Sequence, residues 1–199
     1  MKTYLSLLLT TTFVLLLFFS LFPQFSFLTL NEETYIFQPC LSNNISIMRN
    51  NDFLSIEQPL TITSGFKTDG SQPSDERGLL KFDISSLPKG FKVKSAKLHL
   101  YVIGVYVWNG EDWIPKLALT RTIQVHRIIT DWVGWSFTYW NYATFPSKLW
   151  DAPGGDFLPA SALVNFEIVG TWNTWIVTKD VEAWYNGESP NYGWLIKDL

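Results

Sequence analysis

Apolar and polar residues alternate along two neighbouring segments of this chain, 77–84 and 95–107. The apolar positions are Leu80, Phe82 and Ile84 in the first segment and Ala96, Leu98, Leu100 and Val102 in the second. A period of two is typical of a half-buried strand. Between the segments, Pro88 fixes its own φ and Gly90 tolerates left-handed backbone. We therefore predict an antiparallel hairpin whose turn covers residues 85–90.

The rest of the chain carries further strand patterns and one short helix. Strands are predicted at 34–37, 60–63, 119–129, 164–168, 172–177 and 194–196. Asn109-Gly110 is a strong hairpin signal, 65–77 reads as a polar loop, and 131–156 reads as a long irregular connection. Thr178 is predicted to cap a helix that ends at Gly187. The fold class expected is all-β, an antiparallel jelly-roll-like β-sandwich with one short helix.

The N-terminal part of the chain, residues 1–30, predicts an export segment. Lys2 is followed by an uncharged run whose densest part is 5–22, which is typical of a signal peptide. No small-x-small cleavage site follows it, and about 20 apolar residues suffice to span a bilayer. A cleaved signal peptide and a membrane anchor formed by residues 3–30 therefore both stay open. Either one predicts a secreted or cell-surface protein whose single domain spans 33–199.

The composition and net charge of the chain argue against some classes of binding partner. The net charge is −3 and the pI is about 5.3, so no basic field is available to attract nucleic acid. Cys40 is the only cysteine, which rules out a disulfide within the chain. An inert buried thiol and a bond to another chain both remain for it. Ten Trp, fifteen Phe and eight Tyr are more aromatic residues than a core of this size needs.

The segment around the predicted hairpin resembles the defining block of the DNRLRE domain. That family overlaps the disaggregatase-related proteins and the family-96 carbohydrate-binding modules. The matching residues are Arg77, Leu80 to Ile84, Leu87-Pro88, Lys94 to Tyr101, Val125 to Ile128, Trp132, Trp140-Asn141, Gly154 to Asp156, Trp184 and Asn191 to Gly193. The resemblance covers roughly residues 33 to 197. It implies a secreted, non-catalytic β-sandwich.

Two positions depart from that family's pattern. Ile176 stands where relatives usually place an Asp before the helix, and relatives continue past the Asn191–Gly193 strand into a further strand. A sandwich short of one strand would expose an edge, and an exposed edge is a surface for strand addition by another chain. A slightly rearranged member of the family is the other explanation.

Catalytic and metal chemistry have little support in the sequence. His99 and His126 are the only histidines and have no Cys or acidic ligand at zinc spacing. The 65–77 loop lacks calcium-loop spacing, so no cofactor is expected, and Ca²⁺ in this loop stays an open alternative without support. No nucleophile elbow or phosphate loop is present. A pair of carboxylates suited to polysaccharide cleavage stays open, because such groups need only be close in space.

The aromatic surplus suggests a sugar-binding surface, because apolar sugar faces stack on Trp and Tyr rings. The candidate carbohydrate-binding residues are Trp108 and Trp113 beside the 109–110 turn and Trp135, Tyr139 and Trp150 in the long connection. Trp132, Trp140 and Trp184 are expected to fill the core instead. The predicted function is an exported, non-catalytic carbohydrate-binding or cell-surface module, and its partner, a polysaccharide or surface glycan, is implied mainly by the resemblance to the DNRLRE domain. The alternative is a structural subunit of a surface layer or filament, assembled through an incomplete sheet edge.

Overall fold

A computed structural model of the chain describes residues 4–10, 32–46, 65–68, 73–109, 111–134 and 137–199. Within these residues lie fourteen strands and one helix. In chain order they are β1 (Tyr4–Thr10), β2 (Glu32–Phe37), β3 (Pro39–Ser46), β4 (Gly65–Thr68), β5 (Pro73–Phe82), β6 (Lys92–Tyr101), β7 (Val105–Trp108), β8 (Trp113–Lys116), β9 (Ala118–Ile128), β10 (Tyr142–Thr144), β11 (Lys148–Leu149), β12 (Phe157–Ile168), β13 (Trp172–Ile176), α1 (Thr178–Tyr185) and β14 (Trp194–Asp198).

Two large antiparallel sheets form the body of the protein. Sheet A has the strand order β13-β6-β1-β2. Sheet B has the order β12-β9-β14-β5-β3, and β4 pairs with the remaining part of β5. Two small pairs, β7-β8 and β10-β11, lie outside these sheets. The prediction of an all-β protein with antiparallel sheets and one short helix is confirmed.

The main core lies between the two sheets. Alternate residues of β6 contribute from sheet A, and alternate residues of β5, β9 and β14 contribute from sheet B. Its buried members include Leu80, Phe82, Leu98, Leu100, Val125, Trp175, Val181, Trp184, Trp194 and Ile196. The alternation along each strand is what the period of two requires. The architecture is therefore sandwich-like, with α1 packed against the same core.

The predicted hairpin over residues 77–107 is wrong in its pairing. Both segments are strands, but β5 belongs to sheet B and β6 to sheet A. The connection between them is nine residues long and buries Leu87 in the main core. Tyr185 holds it in place, because its hydroxyl accepts a hydrogen bond from the Phe91 N–H and donates one to the Pro88 carbonyl. The two strands face each other across the core instead of sharing an edge.

Two smaller predictions also need correction. The 65–77 segment is largely strand, because β4 pairs with residues Pro73 to Glu76 of β5. The N-cap of α1 is Val177, while the Thr178 hydroxyl accepts a hydrogen bond from the Ala96 N–H of β6. Gly187, at φ +73°, ends the helix as predicted. The strand predicted at 60–63 lies outside the described residues.

The N-terminal strand β1 lies inside sheet A. It pairs with β6 on one side and with β2 on the other. The remainder of the predicted export segment, residues 11–30, lies outside the described part of the chain. Within the described residues, no helix is long and apolar enough to cross a membrane. Export and anchoring by residues 1–30 stay predictions.

A second core covers the outer face of sheet B. Leu79, Ile128 and Leu195 point away from sheet A and pack against the long connection. From that connection come the buried side chains Trp132, Trp140, Ala143 and Trp150. Both faces of the middle of sheet B are therefore buried, one by sheet A and the other by residues 131–156.

Candidate functional site

Arg77 fixes the long connection to sheet B. Its Nη1 donates a hydrogen bond to the Gly154 carbonyl at 2.8 Å, and its Nη2 pairs with Asp75 at 3.0 Å. The guanidinium carbon also lies 4.6 Å from the centre of the Trp140 ring, which is a cation–π distance. Arg77, Trp140 and Gly154 are among the residues that carry the predicted resemblance to the DNRLRE domain. In this structure they join the second core to the strand beneath it.

Asp156 organises the turn that follows Trp150. Its buried carboxylate accepts hydrogen bonds from the Asp151 and Ala152 N–H groups and from the Thr130 hydroxyl. Because a buried carboxylate needs such donors, this arrangement accounts for the Asp at this position. The turn gives Asp156 a structural role.

Asn191 and Gly193 have a similar structural role at the start of β14. The Asn191 side-chain amide donates to the Phe82 carbonyl, and the Gly193 N–H donates back to the Asn191 side chain. Gly193 has φ +80°, and a Cβ there would lie 2.0 Å from the Leu80 carbonyl oxygen. No residue with a side chain fits without moving β5.

The long connection does not bring its predicted site residues to the surface together. Trp150 is 5% exposed, packs in the second core and donates a hydrogen bond from Nε1 to the Tyr139 carbonyl at 2.9 Å. Tyr139 is half-buried, with its ring edge-on to Phe145. Trp135 lies outside the described residues. Burial removes Trp150 from the surfaces on which a sugar could stack. The expected burial of Trp132, Trp140 and Trp184 is confirmed.

The hairpin predicted around Asn109 is confirmed. β7 pairs with β8, and Trp108 and Trp113 are the last pair before the turn. The Asn109 N–H donates to the Asp112 carbonyl, while its side-chain oxygen accepts from the Glu111 and Asp112 N–H groups. The positions of the two Trp side chains lie outside what the structure describes. Their main chain stands at the hairpin tip, as predicted.

The structure adds an aromatic pair that the sequence did not single out. Trp172 on β13 and Tyr101 on β6 are register partners, and their ring centroids are 5.3 Å apart at 63°. Trp172 is 42% exposed and Tyr101 is half-buried. The next register pair on the same face of the sheet is Thr174 and His99, whose Oγ1 and Nδ1 atoms are 3.0 Å apart. We call these four residues the sheet A aromatic site.

The sheet A aromatic site and the Trp108–Trp113 hairpin lie at the same end of the protein. The Val102 N–H donates to the Thr171 carbonyl, and the Gly170 N–H donates to the Val102 carbonyl. These bonds join the end of β6 to the turn before Trp172, and β7 begins three residues after Val102. The hairpin tip is four residues further on, about 13 Å at strand rise.

The two histidines belong to different surroundings. His99 is on β6 of sheet A and His126 is on β9 of sheet B, so the two are not cross-strand neighbours. Desolvation by burial, together with the charge of Lys97, lowers the pKa of His99. Desolvation also lowers the pKa of His126, whose Nδ1 lies 2.9 Å from the Leu158 carbonyl oxygen. In the described part of the chain, no group of three or more His, Cys, Asp and Glu side chains could hold a metal ion.

Cys40 is exposed, so the expectation of a buried thiol is wrong. Its Sγ lies 3.3 Å from the Lys81 carbonyl oxygen. Packing around the sulfur raises the pKa of the thiol, which keeps the less reactive protonated form dominant near neutral pH.

Comparison with family models, with curated proteins and with solved structures finds no match to this chain. The resemblance to the DNRLRE domain therefore stays a prediction that rests on the residues quoted above. The structure supplies reasons of its own for several of those residues, namely the contacts of Arg77, Gly154, Asp156 and Gly193.

Proposed function

We propose that this chain is an exported, non-catalytic carbohydrate-binding or cell-surface module with a jelly-roll-like sandwich fold. The observation that carries the proposal is the exposed Trp172 ring, held edge-on by Tyr101. A Trp ring fixed in this way offers an apolar face at small entropic cost, and such a face suits the C–H side of a sugar ring.

Polar groups beside the rings support the same ligand class. Thr174 and His99 lie two register pairs away from Trp172 and Tyr101, on the same face of sheet A. Two residues of strand rise correspond to about 7 Å, so a ligand stacked on Trp172 has hydrogen-bonding side chains within reach. Aromatic faces combined with a few polar groups are typical of sites that bind small polar ligands. Trp108 and Trp113 extend the proposed surface towards the hairpin tip.

The proposal is tested by retention on insoluble polysaccharides. The wild-type chain is compared with Trp172→Ala, with a Trp108→Ala/Trp113→Ala double variant, and with Phe137→Ala. Phe137 is an exposed aromatic residue on the long connection, away from the proposed surface, and serves as the matched control. We expect both Trp variants to lose retention at least about tenfold, which equals about 1.4 kcal/mol, and Phe137→Ala to keep it.

Retention that is equal in all four proteins would contradict the proposed surface. Absence of retention on every plant, algal, fungal and bacterial wall polysaccharide tested would contradict carbohydrate binding itself. Release of new reducing ends from such material would instead favour the polysaccharide-cleaving alternative.

A further inference from the structure

The outer strand of sheet B, β12, is a long edge with little charge. It has twelve residues, about twice the mean strand length. It pairs with β9 on one side, and no other described strand pairs with its second side. Across residues 157–176, which also include β13, the only charged residue is Glu167. Proteins usually protect such an edge with Lys, Pro or bulges.

The two ends of β12 carry that protection. Pro159 lies near its start, where the pairing with β9 shifts register between Phe157 and Ala160 and again between Ala160 and Ala162, and a third shift lies between Phe166 and Ile168. From Ala162 to Phe166 the pairing is regular. This segment of β12 therefore offers regular backbone donors and acceptors that no other described strand pairs with.

Two other sheet edges are better protected. β2, at one edge of sheet A, begins with Glu32 and Glu33. β3, at the far edge of sheet B, begins with Pro39, which has no N–H to donate. Charge and proline thus occur on these two edges and are missing from residues 162–166 of β12.

Exposed apolar side chains lie along the same side of the protein. Leu163 is 58% exposed and Ile168 is 56% exposed. Leu117 is 83% exposed and lies next to the end of β12, because its carbonyl accepts a hydrogen bond from the Val169 N–H. Ile176, on the neighbouring edge strand β13, is also exposed. Leu163 and Ile168 belong to β12 itself, so a strand added to its open edge would lie beside them.

We propose that β12 pairs with β12 of a second copy of this chain, antiparallel across a two-fold axis at Asn165. An antiparallel strand paired with its own copy gives a closed, isologous dimer in which both chains use the same patch. With the axis at Asn165, each Glu167 lies opposite the other copy's Leu163, so the only two charges in the strands stay apart. Sheet B then continues from one copy into the next.

The test is sedimentation of the full chain over a range of concentrations, with Asn165→Lys and Thr122→Lys compared with the wild type. Thr122 is the register partner of Asn165 on β9, and its hydroxyl donates to the Asn165 side chain at 2.7 Å. The Thr122 side chain lies on the same face of sheet B as Asn165, but β9 is one strand in from the edge. Thr122→Lys is therefore the matched control. Any self-association through the apolar N-terminal residues is common to all three proteins.

We expect a dimer whose dissociation constant rises at least about tenfold in Asn165→Lys, because two like charges meet at the axis, and stays unchanged in Thr122→Lys. A cysteine version gives a second readout. In a Cys40→Ser background, Asn165→Cys should form a disulfide-linked dimer, since directly opposite Cβ atoms are about 5 Å apart. Thr122→Cys should not, because two Thr122 positions would be about 14 Å apart.

A chain that stays monomeric at all concentrations would overturn the proposal. So would a dimer that responds equally to Asn165→Lys and Thr122→Lys. Neither result bears on glycan retention, which depends on a different surface, so the dimer and the proposed function can fail separately.

Discussion

The Arg77 guanidinium donates a hydrogen bond from Nη1 to the Gly154 carbonyl oxygen at 2.8 Å, across 77 residues of sequence. Because the same group stacks on Trp140 and pairs with Asp75, we predict that Arg77→Lys cannot replace it. A lysine supplies a point charge but no planar face and no second donor in that geometry. We expect a loss of about 1–3 kcal/mol in the free energy of unfolding, the range for a partly buried charged hydrogen bond. Urea unfolding measures it.

Arg121→Lys is the control for that substitution. Arg121 forms an ion pair with Asp198, but its side chain is more exposed than that of Arg77. Exposed ion pairs contribute about 0–1 kcal/mol, so the change should be small. Equal losses in the two variants would mean that Arg77 does not hold the long connection to sheet B.

The strands of this fold could be predicted from the sequence, but their partners could not. The period of two correctly predicts β6, β9 and the second half of β12, because that pattern depends only on burial of one face. The same pattern does not show which sheet a strand joins, and for that reason it wrongly predicts β5 and β6 as one hairpin. Pairing is decided by contacts such as Tyr185 with Pro88, which are distant in sequence.

The sequence also carries a signal for the second core. Trp194-Leu195-Ile196 and Leu79-Leu80 are runs of adjacent apolar residues in strands, and such runs indicate burial on both faces. Sheet B therefore needed a cover, and the Trp-rich connection is the segment that provides it. The prediction that Trp150 lies on the surface is wrong because a position in a loop does not show that the loop itself covers a sheet. The sequence does not predict that Trp172 is exposed, because polar Asn173 and Thr174 are adjacent in β13 and do not show which face of the strand is buried.

Two glycines with positive φ should respond differently to alanine. Gly193→Ala would place a Cβ 2.0 Å from the Leu80 carbonyl oxygen, whereas at Gly187 nothing lies within 4 Å of the new atom. Both changes carry the conformational cost of left-handed backbone, about 1 kcal/mol. We expect Gly193→Ala to cost about 3 kcal/mol or more, since β5 must also move, and Gly187→Ala about 1. Thermal unfolding of the two variants side by side checks the order, and a reversed order would refute it.

Stability should fall as the pH drops below about 6.5. Desolvation lowers the pKa of both His126 and His99 in the folded chain. In the unfolded chain the pKa of a histidine is near 6.5, so each histidine takes up a proton more readily there. The unfolded state then binds more protons, and the free energy of unfolding decreases as the pH falls through this range. Above pH 6.5, where both histidines are neutral in the folded and in the unfolded chain, they cause no loss in the free energy of unfolding. Urea unfolding at pH 7.5 and at pH 5.5 measures the difference.

A His126→Gln/His99→Gln double variant serves as the reference for that pH effect. Glutamine keeps a hydrogen-bonding side chain at both positions but does not titrate. The double variant should lose less stability between pH 7.5 and 5.5 than the wild type. If both proteins lost the same amount, the histidines would not be the groups responsible.

Replacing Trp150 and Trp172 by alanine should affect stability differently, because Trp150 lies in a core and Trp172 on the surface. Trp150 is 5% exposed and donates a hydrogen bond to the Tyr139 carbonyl, whereas Trp172 is 42% exposed on the outer face of sheet A. We expect Trp150→Ala to cost about 3–5 kcal/mol, the range for a large core aromatic cut back to alanine. Trp172→Ala should cost less, about 1–3 kcal/mol, because a large part of its ring is already exposed and the contact with Tyr101 is one of its stabilising contacts. Denaturant unfolding of both variants tests this, and a large loss in Trp172→Ala would show that the ring stabilises the fold instead of serving as a binding surface.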